Sequence, residues 1–266
     1  MSLSSNRVEE SAGDVVASAL DQSEELLVVN PSRAATGALV DRLADAEDPP
    51  QVRLFADSTA LKALLDSFVP AATLADLVAD GVMAVRILQS LPRNTLMLSP
   101  DAVVALVPGP NRAAGLTATD GDFVSRTYER FDRRWAAAPD YEVETPPLSR
   151  LRATLRAELG EETAADVDGL LTAVGDGSHP DGVTLCLLGA ARNETLLYDV
   201  SWWGEEVGLA SKATFSRTKT ALEEAGLLET ETVPIDVGRP RLRLTLPADL
   251  ADEPLETLVR EARDRL

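Results

Sequence analysis

Thirteen consecutive residues, Ala210 to Leu222 ("ASKATFSRTKTAL"), hold Lys212, Arg217 and Lys219 and no acid. The chain around them carries 25 Lys+Arg against 44 Asp+Glu, a formal net charge of −19. Guanidinium, ammonium and hydroxyl groups in one run suit one chemistry above others: donating hydrogen bonds to phosphates and to base edges. An acid on such a face would meet the phosphates and repel them. Ser211, Lys212, Thr214, Ser216, Arg217, Lys219 and Thr220 are therefore candidate DNA-binding residues. A second basic set follows, where Arg239, Arg241 and Arg243 alternate with Pro240, Leu242 and Leu244. On a strand that alternation makes one face basic and the other apolar. Arg239 and Arg241 join the candidates, with Arg239 nearest the turn. Residues 209–247 hold six basic and five acidic residues, a net of +1, so the rest of the chain carries −20. The charge is segregated.

Such groups need a frame. "GVTLCLLGAARNE" (182–194) reads as a helix, and "DVSWWGEEVGL" (199–209) as a short helix capped by Ser201. The turn "VGLAS" follows, where Gly208 lets the chain leave with positive φ. Residues 211–228 form the next helix, with Ser211 at its N-cap and Gly226 just past its end. Phe215, Thr218, Leu222 and Ala225 make its core-facing stripe, leaving most of the basic and hydroxylic residues outside. "LLETETVPIDVGRPRLRLTLP" is two strands around a turn at Asp236-Val237-Gly238, and "PLETLVREARDRL" is a closing helix. Helix, short helix, tight turn, helix, hairpin is the order of a winged helix. Its second helix enters a major groove and its hairpin is the wing.

The first half has a different rhythm. A polar helical lead-in over 1–25 precedes an apolar run at 26–29 and predicted strands at 51–57 and 82–88. Helices separate them, the second broken or kinked at Pro70. Leu96–Leu98 and Val103–Val107 flank Ser99-Pro100-Asp101 as a hairpin; a Gly/Pro/Asn loop follows. A helix from Asp120 then carries the aromatic stripe Phe123, Tyr128, Phe131 and Trp135, read as core. The fold class is an α/β N-terminal domain, a mixed sheet flanked by helices, plus a C-terminal winged helix-turn-helix domain. The expected organisation is an α/β sensor or dimerisation domain over 1–138, a linker with connecting helices over 139–181, and the winged helix over 182–266.

Catalytic chemistry finds little support. The single histidine, His179, sits in "GDGSHPDG" with no lysine nearby. The single cysteine, Cys186, lies among leucines and reads as core, and being alone it excludes an internal disulfide. There is no P-loop and no GxGxxG; "VPGPNRAAG" (107–115) is a weak phosphate candidate. No metal site, cofactor or enzyme activity is expected. Ligands of open α/β sheets bind beyond the carboxyl ends of the strands. There Ser32, Arg33, Asp57, Ser58, Arg93 and Asn94 could face a small metabolite effector, although helix capping competes for Ser32, Asp57 and Ser58.

With three lysines among the 25 basic residues and few aromatics, the composition fits a halophilic cytoplasm, where salt screens self-repulsion. No run approaches a membrane span, so the chain is expected to be cytoplasmic. The segment "SWWGEEVGLASKATFSRTKTALEEAGLLETETVPIDVGRPRLRLTL" resembles the winged helix of haloarchaeal regulators. The whole chain resembles TrmB-like regulators of sugar metabolism of the TbsP type. The first block is also similar to phospholipase D-like domains, without their His–Lys motif. The resemblance implies a regulator at glycolytic and gluconeogenic promoters, bound to double-stranded DNA. A homodimer is expected because paired half-sites multiply affinity. The alternative is a winged-helix adaptor that binds proteins and no DNA.

Overall fold

Leu26, Leu27, Val28 and Val29 are all essentially shut off from solvent, the signature of a strand covered on both faces. They form the centre of a seven-stranded sheet in a computed structural model that describes residues 6–88, 90–175, 179–234 and 240–266. In chain order the elements are β1 (Arg7–Glu9), α1 (Ala12–Leu20), β2 (Glu25–Val29), α2 (Arg33–Ala44) and β3 (Gln51–Ala56). Then come α3 (Ser58–Leu65), α4 (Phe68–Ala79), β4 (Met83–Ile87), β5 (Leu96–Leu98), β6 (Val103–Pro108), β7 (Ala113–Ala118) and α5 (Gly121–Ala137). The strands run in the order β1-β7-β6-β5-β2-β3-β4. β2, β3 and β4 are parallel, and the remaining pairings are antiparallel.

Alternate residues serve opposite faces. Leu26 and Val28 join one cluster with Val15, Leu39, Leu61 and Leu74 from the helices. Leu27 and Val29 join another with Phe55, Phe131 and Trp135. The Phe55 and Trp135 rings meet edge to face, with centroids 4.9 Å apart. Arg53 ties α5 to the same face, bonding Asp132 and Glu25 at 2.6 Å each. Tyr128 also accepts from Arg53 and donates to Glu25; burial first, then that bond, pushes its hydroxyl pKa up to about 12.

Four sequence expectations need correction here. Residues 7–9 are not helical; they pair with β7 at the sheet edge. Residues 113–118 are a strand, so "VPGPNRAAG" spans a hairpin bend, with Gly109 N–H bonded to the Arg112 carbonyl at 2.8 Å. The helical break falls between Leu65 and Phe68, leaving Pro70 in the first turn of α4, where its missing N–H costs nothing. Phe123 is 51% exposed, and Val124 takes the buried position in the first turn of α5.

The chain divides into two units: one running to Asp66 and resuming over Thr73–Glu144, the other Ser67–Ala72 with Thr145–Leu266. Residues 139–144 do not hang free. Tyr141 N–H bonds the Val85 carbonyl at 2.9 Å, and Tyr141 and Val143 pack against the first unit's core. The second unit contains α6 (Leu148–Leu159), α7 (Glu161–Val174), α8 (Gly182–Arg192), α9 (Leu197–Glu206) and α10 (Lys212–Glu224). It ends with β8 (Glu229–Val233), β9 (Arg241–Thr245) and α11 (Leu255–Arg265). Helices α6 and α7, read from sequence as connectors, put Leu151, Leu155, Val167 and Leu170 into one core with α8 and α10.

Cys186 lies in that core, 4% exposed, and burial pushes its thiol pKa up to about 12. A thiol without thiolate is inert. The native chain is expected to resist alkylation by iodoacetamide and to label at Cys186 only as the second unit opens. Stoichiometric labelling under native conditions, read by mass spectrometry, would contradict this packing.

Candidate nucleic-acid interface

The helix-turn-helix geometry begins at a turn. Gly208 has φ +82°, and Leu209 N–H bonds the Gly204 carbonyl at 2.8 Å, so the chain closes α9 and reverses within a few residues. Ser211 then caps α10, its Oγ accepting from Thr214 N–H at 3.2 Å. Ser201 does not cap α9. The helix starts four residues earlier, at Leu197, and Ser201 donates to the Tyr198 carbonyl from inside it.

Phe215 and Leu222 are fully buried and anchor α10, while Thr218 and Ala225 are half-buried. β8 and β9 pair antiparallel from Glu229↔Thr245 to Val233↔Arg241. A bridge at Leu196↔Arg243 adds the residues before α9 to β9. The turn itself, with Arg239, lies outside the described residues.

The candidate side chains fall into two groups. Ser211, Ser216, Arg217 and Thr220 are exposed on α10. Arg217 donates to Thr214 Oγ1 at 3.2 Å. The other cations have carboxylate partners. Lys212 lies 3.0 Å from Glu205 and 4.3 Å from the centre of the Trp202 ring. Arg241 lies 3.4 Å from Asp199 and 4.0 Å from the Tyr198 ring. Arg243 lies 3.7 Å from Glu194. Lys219 is turned inward, its side chain 13% exposed and 2.7 Å from Glu223. Among the described basic residues of α10 and β9, Arg217 alone has no carboxylate partner.

Sequence reasoning missed Tyr198 and Trp202. They are 48% and 43% exposed, four residues apart on α9, and each stacks on one of the cations. Their signal was two large aromatics at i, i+4 on a short helix whose interior needs only Val200 and Trp203.

Glu223 locks α10 to the wing, accepting from Lys219 at 2.7 Å and from Thr230 Oγ1 at 2.8 Å. Partial burial opposes its charge, but those two bonds outweigh it and hold the carboxyl below its ordinary value of 4.5. A depressed folded pKa stabilises above the unfolded value and loses that contribution as pH falls through the folded one. Glu223→Gln is therefore expected to cost stability near neutrality and to converge with wild type in acid. Parallel denaturant melts at the two pH values test it; a constant gap would show that this carboxylate's charge is not what stabilises.

The comparisons with known proteins bear on this surface. Residues 147–263 match the family model described as "Transcriptional regulator TbsP-like, C-terminal HTH domain", and residues 4–146 match the TbsP-like N-terminal model. The chain belongs to the TbsP-like transcriptional regulators. No curated protein sequence matches it. Among solved structures it is similar to TrmBL2, described as an archaeal chromatin protein with a novel mode of DNA binding. That likeness has 13% identity and a TM-score of 0.38, and covers 51% of this chain and 54% of the other. The chain thus spans about half of that neighbour's length.

In this TbsP-like chain the six metabolite candidates gather at one edge of the sheet, beyond the carboxyl ends of β2 and β3 and before β5. Ser32 caps α2, accepting from Ala35 N–H at 3.2 Å. Asp57 accepts from Thr59 N–H at 2.8 Å at the start of α3, next to exposed Ser58. Arg33, Arg93 and Asn94 are exposed. Asn30, with φ +52°, crosses this edge and donates to the Pro92 carbonyl at 2.7 Å. Among the described residues no helix is long and apolar enough to cross a membrane, and no cluster of His, Cys, Asp and Glu has metal-binding geometry.

Proposed function

We propose that this protein is a promoter-binding regulator that grips double-stranded DNA as a homodimer. In this reading α10 enters the major groove and the β8–β9 hairpin serves as the wing. The observation that carries it is the open face of α10: Ser216, Arg217 and Thr220 exposed, with Arg217 free of carboxylate partners in a chain of net charge −19. Donors without a competing acid suit phosphates and base edges. Lys212 and Arg241 add to the surface. Exposed ion pairs are worth about 0–1 kcal/mol, so exchanging Glu205 or Asp199 for a phosphate costs little. Lys219 is the weakest of the candidates because its partner is shielded.

The targets we infer are sugar-metabolism genes, glycolytic and gluconeogenic, in the cytoplasm of a halophilic archaeon. Family membership and the acidic, lysine-poor composition support this. High salt favours a dimer, since each phosphate contact loses affinity with a log–log slope of about −0.9. A phospholipase D-like first half, as the sequence suggests, would carry none of that family's chemistry, since the chain's only histidine is His179, in the second unit.

Chromatin immunoprecipitation with sequencing tests the reading. Discrete intergenic peaks upstream of such genes are expected; their absence would favour the protein-interaction adaptor. Arg241→Ala is expected to weaken binding several-fold and evenly across promoter sequences, with a shallower salt dependence, as loss of a phosphate contact should. A changed base preference in a binding-site selection assay would assign it a different role.

A further inference from the structure

The first unit holds a cavity of about 420 Å³ at the end of the sheet opposite the six edge residues. Ligand sites span about 300–1,000 Å³ and combine apolar walls with a few convergent polar groups. Leu26, Met97 and Val104 form the apolar wall here, and α1 covers one side with Val15 and Ala19. Polar groups on the lining include Arg7 from β1, Ser18 from α1, Gln22 just past its end, and Ser99 and Asp101 from the β5–β6 turn.

The hydrogen-bond inventory leaves specific capacity open. Arg7 donates to Ser18 Oγ and forms no ion pair among the described residues. Ser99 Oγ, 8% exposed as a residue, accepts from Asp101 N–H and Ala102 N–H at 3.4 and 3.1 Å, which leaves its O–H to donate. Gln22 spends its amide N–H groups on Ser18, which leaves its carbonyl oxygen to accept. Glu9 and Asp101 are further acceptors on the lining.

We propose that this cavity binds a small hydroxylated carboxylic acid, its carboxylate on the Arg7 guanidinium and its hydroxyls on Gln22, Ser99 and Asp101. The charge count selects the class. One guanidinium forks well onto one carboxylate. Arg7, Glu9 and Asp101 sum to −1, so a phosphate dianion meets about twice the repulsion of a carboxylate monoanion, whose single charge the Arg7 fork can hold. A neutral polyol would leave the Arg7 charge without a counterion in the site. The proposal is independent of the DNA-binding reading, because every group it uses lies in the first unit.

Isothermal titration calorimetry of the full chain tests it with gluconate as probe, and glucose and glucose 6-phosphate as comparisons. Gluconate is expected to bind saturably at one site per chain and more tightly than either. Arg7→Gln is expected to weaken gluconate at least about tenfold, as loss of a charge-assisted bond should. Ala19→Leu, which fills the cavity, is expected to abolish binding. If it also unfolds the chain, Arg7→Gln at the exposed rim decides alone. No saturable gluconate binding, tighter binding of glucose 6-phosphate, or gluconate affinity unchanged in Arg7→Gln would each overturn the proposal.

Discussion

Arg217→Glu is expected to abolish promoter binding while leaving the fold unchanged. The side chain is exposed, and its one side-chain hydrogen bond among the described residues is to Thr214 Oγ1, so its loss costs little stability. Its effect on DNA is large for two reasons. The substitution removes a donor suited to a guanine edge or a phosphate, worth about 1–3 kcal/mol per contact. It also places a carboxylate in the acid-free run Ala210–Leu222. In a dimer both penalties count twice, so a loss of about 100-fold or more is expected. Fluorescence anisotropy with promoter DNA, beside circular dichroism for the fold, reads both halves of the expectation. A folded variant that binds at wild-type affinity would remove α10 from the groove.

The acid-free run was legible in sequence, and so were the caps at Ser211 and the turn at Gly208. Each is a local pattern with a local cause. What the run means in space was not legible. A window over 210–222 contains no acid, yet Glu205, Asp199 and Glu194 come from elsewhere in the chain and neutralise Lys212, Arg241 and Arg243. Lys219 finds Glu223 one turn on and turns inward. Among the described candidates, Ser211, Ser216, Arg217 and Thr220 are the exposed ones without a carboxylate partner, while Arg239 lies outside the described residues. The same limit explains the missed strand at 113–118. "AAGLTA" has little β-propensity, because α1 lies close above it and only small residues fit; a Cβ on Gly115 would stand 3.0 Å from Val15 Cγ1. β1 is three residues long and shows no alternation to read. β2 was plain because burial on both faces writes itself as the unbroken apolar run Leu26–Val29. The cavity had no sequence signature, since its lining is drawn from β1, α1, β2, β5, β6, β7 and the β5–β6 turn, segments far apart in the chain.

Gly204→Ala should expose how the recognition helix is held. On helix propensity alone the change is favourable, by about 1 kcal/mol for an interior glycine. Packing argues the other way. A Cβ at this position would stand 2.2 and 2.3 Å from Phe215 Cε2 and Cζ, distances that force movement. Phe215 cannot swing out cheaply, because it is fully buried and pins α10 against α9. Overpacking of a closed core costs about 1–3 kcal/mol, and the rigidity of a buried ring puts this site at the upper end. The steric term wins, with a net destabilisation of about 2 kcal/mol, and DNA affinity falls because α10 is displaced. Cys186 alkylation reports opening of this unit specifically, so its labelling rate under native conditions is expected to rise about 30-fold. Phe215→Leu in the Gly204→Ala background should then restore part of the loss, although Phe215→Leu alone destabilises. That non-additivity is the signature of direct contact. A stabilised Gly204→Ala, or strict additivity of the two changes, would mean that propensity rules at this position and that the close approach of α9 and α10 does not set the angle of the recognition helix.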